Sequence, residues 1–369
     1  MKILITGGAG FIGSHTADRL ISKGYKVRIL DNLQKPVHLK GMPDYINKNA
    51  EFILGDVRDK AALEEAMNGV DAIYHLAAYQ DYLPDFSTYF HVNSVSTALI
   101  YEIIVEKNLS VKKVIVASSQ AVLGEGLYRC SEHGDISPDI RLEKQLSKGD
   151  WEHHCPQCGE YMRHLSTPES RINPQNQYAL SKYSQEQIAV NLGRRYGIPS
   201  TAMRYSIVQG PRQSFYNAYS GAMRIFALNL YFNKQPFIYE DGKQIRDYVN
   251  YQDVVDANIL VLEDEKANYQ CFNVGGGKGF TVMDFYERVQ NVTGRQIEPV
   301  ISKYYRYGDT RHILSDISKL RSLGWEPKVP IEESIRDYWK FLNSRTDIED
   351  ILDYTEKTMK SKGVVRAVQ

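Results

Sequence analysis

The stretch KILITGGAGFIGSHTADRLISKGYKVRILDN, residues 2–32, decides the architecture. Lys2 to Thr6 is a short aliphatic and β-branched run, the composition of a buried strand. Gly7, Gly10 and Gly13 follow, and Ser14 to Ser22 carries apolar residues at helical spacing. Gly24 fits a helix stop, and KVRIL is a second strand that ends at Asp31. Strand, glycines, helix, strand and acid in that order make a dinucleotide-binding unit. The glycines permit a tight turn and let the backbone approach a pyrophosphate, which rests at the positive end of the helix. Asp31, 18 positions beyond Gly13, is placed to accept hydrogen bonds from the adenosine ribose hydroxyls. A 2′-phosphate there would face a carboxylate, so NAD is favoured over NADP.

The alternation continues outward. AEFILGDVRD puts Asp56 at a strand end, within reach of an adenine edge. VDAIYHLAA runs through His75 to Ala77 and Ala78, small residues where a cofactor backbone can pass, and His75 reads as a packed side chain. VKKVIVASSQAVLG is a further strand ending at Ser118 and Ser119. Strands separated by helical stretches predict an α/β fold, a Rossmann-type doubly wound parallel sheet with ligands at the carboxyl ends of its strands. Residues 1–204 are expected to form the dinucleotide-binding domain, with an insert at 125–170 and with 246–271 returning to it. Residues 205–245 and 272–345 lack such alternation and are expected to form a smaller mixed α/β substrate lobe. Tyr216 and Tyr219 there are candidates to stack on a sugar or base. The polar tail, 346–369, offers no reading.

Composition narrows the class. A chain of 369 residues exceeds the roughly 250–300 at which single cores stop growing, so two lobes are expected. Lys plus Arg equals Asp plus Glu at 45 each, which leaves no global field for nucleic acid or an acidic membrane surface. No run approaches the ~20 apolar residues of a membrane span, and Met1 to Ile5 lead at once into the glycines, so no secretion signal is expected. The four cysteines are too few for a disulfide framework and read as reduced thiols or metal ligands in a cytoplasmic protein.

NPQNQYALSKYSQEQIAVNLGRRYG reads as a helix whose entry carries Tyr178 and Lys182 on one face. A free tyrosine, with pKa ~10, is a poor base near neutral pH, and a neighbouring ammonium stabilises its phenolate. Ser119, at the end of its strand, can bridge the phenol and a substrate hydroxyl. Downstream of a dinucleotide unit, this trio reads as catalytic.

At this point the chain resembles the extended short-chain dehydrogenase/reductases of the nucleotide-sugar epimerase and dehydratase group. The resemblance is carried by TGGAGFIG, DN at 31–32, GDVRD, HLAA, Asn93, SSQAVLG, YALSK, GPRQ, RDYVNYQDVVDA, FNVGGG and GDTRH…DISKLRSLGW, in the family's order over nearly the whole chain. It implies a tightly held NAD, touched by Phe11, Ile12, Asn32, Val57, Leu76 and Asn93 besides the residues above. It implies a second lobe that grips a nucleoside-diphosphate sugar, and a homodimer built on helices around 90–107 and 178–197. It further implies that Tyr178 is the base, that Lys182 holds the nicotinamide ribose, and that Ser119 assists. Arg246, Arg311 and Arg212 would bind diphosphate or nucleoside, for which guanidinium groups suit by bidentate bonding. Gln120 would touch the sugar.

Dehydratases and decarboxylases of this family place an acid one or two positions after that serine. Gln120 and Ala121 stand there and cannot move protons, which leaves oxidation to a keto sugar and return of the hydride. Epimerisation at sugar carbon 4 is the resulting expectation. A keto-sugar reductase, another nucleotide-sugar dehydrogenase or dehydratase, and an inactive NAD-binding module are the alternatives. The family pattern Arg-Tyr-Phe-Asn-Val-Tyr-Gly-Pro appears here as RYSIVQGP, with Ile207 for the Asn and Gln209 for the Tyr, and Leu123 replaces a further Tyr. SSQAV, RYSIVQGPRQSFYNAYSGA and the cysteine insert are most similar to the dTDP-L-rhamnose 4-epimerase-type subgroup.

Cys130-x-x-His133 and Cys155-x-x-Cys158 lie inside the insert, around WEHHCPQCGEY at 151–161. Two such pairs match a tetrahedral structural zinc site, with His153 or His154 as alternatives to His133. Four protein ligands leave no open position, so the knuckle reads as a structural clip over the active-site mouth. Its bases are interleaved with acids, which argues against a nucleic-acid role. Cys271 reads as a core thiol.

Overall fold

The computed structural model describes residues 1–81, 83–216, 221–346 and 348–369, with residue 355 by its backbone alone. Its centre is a seven-stranded sheet, every pairing parallel. From one edge the strands are Gln270–Val274, Ser200–Tyr205, Lys113–Ser119, Ala72–His75, Lys2–Thr6, Lys26–Asp31 and Glu51–Leu54. Each strand expected over residues 2–119 is present. The order reverses between Lys2–Thr6 and Ala72–His75, and a doubly wound sheet opens its ligand crevice at that reversal.

Burial explains the strand composition. Ile3, Leu4, Ile5, Ile29, Leu30, Ile73, Tyr74, Val114, Ile115 and Val116 are fully enclosed, because helices cover both faces of a parallel sheet. Helices Phe11–Ser22 and Tyr251–Glu263 cover one face, while Lys60–Met67, Ser96–Glu106 and Gln177–Tyr196 cover the other. The first helix begins at Phe11, three residues before the apolar pattern makes it visible.

The second lobe packs helices Ala222–Tyr231, Val282–Thr293 and Ile331–Asn343 around Phe226, Phe285, Tyr286 and Tyr338. Small sheets join it to the first lobe, among them Ile207–Gln209 beside Ile245–Asn250 and Gly279–Thr281. The insert, aperiodic in sequence, is a three-stranded antiparallel sheet with Leu127–Cys130 between Gly134–Ile136 and Arg163–Leu165. The tail forms helix Leu352–Ser361 and strand Val365–Ala367, which pairs with Tyr304–Arg306. Among the described residues, no helix is long and apolar enough to cross a membrane.

Candidate active site

The glycine turn depends on missing side chains. Gly7 has φ +69°, and a Cβ there would come 2.6 Å from Ala77 N; a Cβ on Gly13 would come 2.3 Å from Gly7 O. Strand, turn and helix therefore meet backbone to backbone. No side chain caps helix Phe11–Ser22, so the N–H groups of its first turn remain available to an anion. Asp31 closes the turn by accepting from Ala9 N at 3.0 Å and Leu33 N at 2.9 Å.

These residues border a cavity of about 930 Å³, near the top of the usual range for ligand clefts. Gly7, Gly10, Phe11, Ile12, Gly13, Asp31 and Asn32 line one end, and Asp56, Val57, Leu76, Ala77 and Ala78 continue it. Arg58 and Asn32 bond to Asp56, and the Arg58 bond foremost holds its carboxyl down to about 2. Asn93 does not border the cavity. It lies in a π-helical turn, Phe90–Val95, with its amide spent on Tyr79 N, Tyr79 O and Ser181 Oγ. His75 is packed as expected, between Thr6 Oγ1 at 2.7 Å and Ser96 Oγ at 2.8 Å.

Ser119, Tyr178 and Lys182 meet at the middle of the cavity. Helix Gln177–Tyr196 starts at the Asn176 cap, whose side chain accepts from Ala179 N, and so places Tyr178 in its first turn. Tyr178 hydrogen-bonds Ser119, and Lys182 Nζ lies 5.9 Å from the Tyr178 ring centre. Lys182 donates to Ala117 O at 2.7 Å and Gln185 Oε1 at 2.9 Å. The spacing argument anticipates a phenol lowered by the ammonium. Burial instead pushes Tyr178 up to about 12, against the pull of the Ser119 bond, and brings Lys182 down to about 7, against Glu186. Behind them Glu186 takes Ser118 Oγ and a two-pronged bond from Arg204, all buried.

Arg212, Arg246, Ile207 and Gln120 also line the cavity, Arg212 on the glycine-helix side. Arg212 pairs with Asp18 at 2.7 Å, and Arg246 donates to Arg311 O and Asp309. Gln120 Oε1 and Gln213 Oε1 are buried with no partner among the described residues. Leu123 packs behind the wall with Val122 and Ile313, and Gln209 is enclosed, so of the three departures from the family pattern only Ile207 faces the cavity. Tyr216 packs beside Phe215 away from it, and Tyr219 lies outside the described residues.

The expectation that Arg311 meets a diphosphate is not met. Arg311 is 0% exposed, and its guanidinium bonds Glu152, Glu240 and Asp241 at 2.6–3.0 Å. Arg141 grips Glu240 from the other side, and Glu125 accepts from Arg311 N. This network ties the insert to the second lobe. Arg306, five residues earlier and passed over in the sequence, does line the cavity, over the Tyr239 ring. Its signal lay only in being a second arginine beside GDT.

In the insert the donor atoms of Cys130, His133, Cys155 and Cys158 all lie within 4.8 Å of one another. Cys130 Sγ stands 3.6 Å from Cys158 Sγ and from His133 Nδ1, and Cys155 Sγ 3.5 Å from His133 Nδ1. His153 and His154 are engaged elsewhere, with Glu125 and with Asp150 and Gly159 O. Cys271 stands apart, half-buried beside Glu186.

Comparison with known proteins agrees with this geometry. A model described as the NAD dependent epimerase/dehydratase family matches residues 3–142, and one described as GDP-mannose 4,6 dehydratase matches 159–338. The dTDP-L-rhamnose 4-epimerase of Burkholderia thailandensis is 30% identical, over 94% of this chain and 96% of that protein. A putative UDP-glucose 4-epimerase of Methanocaldococcus jannaschii is 33% identical, over 93% and 100%. The structure of Thermotoga maritima UDP-glucose 4-epimerase with UDP-glucose aligns with a TM-score of 0.76 at 30% identity, over 93% of this chain and 99% of that one. The Thermus thermophilus UDP-glucose 4-epimerase complex with NAD aligns at 0.74 and 27%, over 94% and 100%.

Proposed function

The chain belongs to the NAD-dependent epimerase/dehydratase family, and on that footing we propose that it inverts carbon 4 of a nucleoside-diphosphate sugar through a transient 4-keto intermediate. The observation that carries this reading is the Ser119–Tyr178 hydrogen bond beside Lys182, in the cavity the glycine turn opens, with Gln120 and Ala121 after the serine. NAD, when bound, supplies a hydride acceptor and a positive charge. The uncapped helix start and the Asp31 carboxylate suit its pyrophosphate and ribose.

Tyr178 takes the proton of the sugar hydroxyl, with Ser119 as the bridge that orients it. Lys182, fixed by Ala117 O, presents its amine to the ribose side and stabilises the phenolate. The unpartnered oxygens of Gln120 and Gln213 can each accept a sugar hydroxyl, since a buried acceptor left unbonded costs ~1–3 kcal/mol. Arg246 and Arg306 would meet the diphosphate, with Arg212 nearer the glycine helix. Neither Gln120 nor Ala121 can supply the acid that water elimination requires. Of the candidate sugars, the similarity to dTDP-L-rhamnose 4-epimerase favours a dTDP-6-deoxyhexose.

The insert cluster is proposed to hold a structural zinc. Zn–S bonds of ~2.3 Å and Zn–N bonds of ~2.0–2.1 Å give tetrahedral edges of roughly 3.5–3.8 Å, and the separations of 3.5–3.6 Å in the cluster fit them. A homodimer on helices Ser96–Glu106 and Gln177–Tyr196 is supported by Val105 and Leu180, 42% and 46% exposed. The free thiols are consistent with a cytoplasmic setting.

The test is an NMR assay of the purified protein on UDP-, GDP- and dTDP-hexoses, dTDP-L-rhamnose included. Inversion at carbon 4 without added reductant, lost in Tyr178→Phe, is expected. Turnover only with stoichiometric NADH or NADPH would make the protein a keto-sugar reductase instead.

A further inference from the structure

The cavity has two ends, and the dinucleotide accounts for one. With adenosine at Asp31 and the reacting sugar against Ser119 and Tyr178, the substrate's nucleoside must extend the other way, past Arg246. The C-terminal segment closes that end. Leu352, Glu356 and Met359 from its helix, and Val364 beyond, line the cavity there.

The segment is built into the lobe. Met359 is 5% exposed and Val365 6%. Strand Val365–Ala367 pairs with Tyr304–Arg306, and Tyr307 N donates to Val364 O at 3.1 Å. Lys234 holds Asp350 at 2.6 Å and Asp353 at 3.1 Å. The chain then reaches the insert, where Arg366 pairs with Glu143 at 2.6 Å and Gln369 N donates to Ser147 O at 2.9 Å. Both ends of this wall are therefore anchored, one on the substrate lobe and one on the insert.

We propose that this segment is the nucleoside-binding wall of the substrate site. Leu352 and Met359 offer an apolar, polarizable face to the base, and Glu356 offers an acceptor to its ring N–H. Lys360, 2.6 Å from Glu356, fixes the direction of that carboxylate. The inference rests on the nucleotide-sugar reading above and deepens it, because nothing in the sequence pattern of the tail connects it with a ligand.

The experiment compares the full chain with one ending at residue 346, each carrying its bound NAD. A wall against the nucleoside touches neither the reacting carbon nor the dinucleotide. The KM for the sugar nucleotide and the inhibition constants of UDP and dTDP should therefore rise together, tenfold or more. At the same time kcat should stay within twofold and NAD content should not change. Unchanged KM and inhibition constants, or a fall in kcat alone, overturn the proposal. If the shortened chain does not fold, Glu356→Ala and Met359→Ala in the full chain replace it, with a rise of threefold or more expected. In addition, trypsin cleavage after Lys357, Lys360 and Lys362 should slow in saturating UDP or dTDP, and equal rates overturn the proposal. A full chain that converts no sugar nucleotide and binds neither diphosphate removes the underlying reading and this one with it. Conversion by the full chain with indifferent variants removes this one alone.

Discussion

Replacing Arg311 with Met separates a structural arginine from a substrate-binding one. The side chain is fully enclosed and is shared among Glu152, Glu240 and Asp241. Removing one partner of a buried ion pair costs ~3–5 kcal/mol, because the charge left behind is poorly solvated. Here the remaining charges differ in their recourse. The Glu152 and Asp241 side chains are 37% and 30% exposed and can rehydrate. Glu240, at 2%, cannot, yet it keeps Arg141 at 2.9 Å. The cost should thus fall near the lower bound, about 3 kcal/mol. At ~2.1 cal/mol/K per residue, a chain of this length has an unfolding entropy of roughly 0.8 kcal/mol/K, so Tm should drop by about 4 °C. Calorimetry on the NAD-loaded protein measures this, beside kcat and KM and beside Arg246→Met as the contrasting variant. Arg246→Met should keep its Tm and raise KM. An unchanged Tm with a KM raised tenfold in Arg311→Met would refute the reasoning and return Arg311 to the diphosphate. The acid limb offers a second reading of the same network. Burial alone would raise the Glu152 pKa, but bonds from His312 and Arg311 hold it at about 2. A carboxyl lowered on folding adds stability above its unfolded pKa and loses it as pH falls toward the folded one. Wild type should accordingly lose stability between about pH 4.5 and 2 more steeply than Arg311→Met.

Tyr178→Phe should lower kcat by about 10²–10⁴-fold, the range for removing a general base, with NAD content unchanged; sugar NMR and cofactor absorbance check both. Lys182→Met tests the buried amine. Its folded pKa of about 7 lies below the ordinary 10.5, so the unfolded chain binds the extra proton between these values. Wild-type stability should then rise from pH 7 toward 10 relative to the Met variant, by chemical denaturation, and parallel curves would contradict the shift. One equivalent of zinc per chain is expected by elemental analysis, lost in Cys155→Ser together with several degrees of Tm, while a zinc-free wild type of equal Tm would remove the clip.

Five of the seven strands were legible because each is a local apolar run, and the glycine turn because its residues are close in sequence. Ser200–Tyr205 and Gln270–Val274, which mix polar residues into their pattern, were not read as strands. Tyr178 and Lys182 were legible for the same reason, four apart on one helix. What escaped depends on distant partners. Arg311 and Arg306 sit in one short segment, and only the acids brought in by residues 152, 240 and 241 decide which of them is enclosed. Asn93 is conspicuous in sequence, but a π-helical turn aims its amide at Tyr79 and Ser181 instead of the cavity. The tail is polar in composition, and its place in the structure depends on partners far away in sequence, the strand Tyr304–Arg306 and Lys234. The Cys130-x-x-His133 spacing pointed to His133, and the structure sets it with the three thiols while Glu125 and Asp150 hold His153 and His154.

The insert leaves the catalytic framework and rejoins it at nearly one point. Gly124 adopts φ +62°, a Cβ on it would come 2.1 Å from Asn173 O, and Asn173 N donates to Val122 O at 2.9 Å. Departure and return are thus clamped together between Ser119 and Tyr178. An excursion whose two ends are stapled in this way is a cassette. Its outer loops can be lengthened, shortened or exchanged while the serine and tyrosine stay in register, provided Glu125, Arg141 and Glu152 keep their bonds to Arg311 and Glu240. Selection, or an engineer, can then vary Ile140, where the insert lines the cavity, without rebuilding the chemistry beneath it.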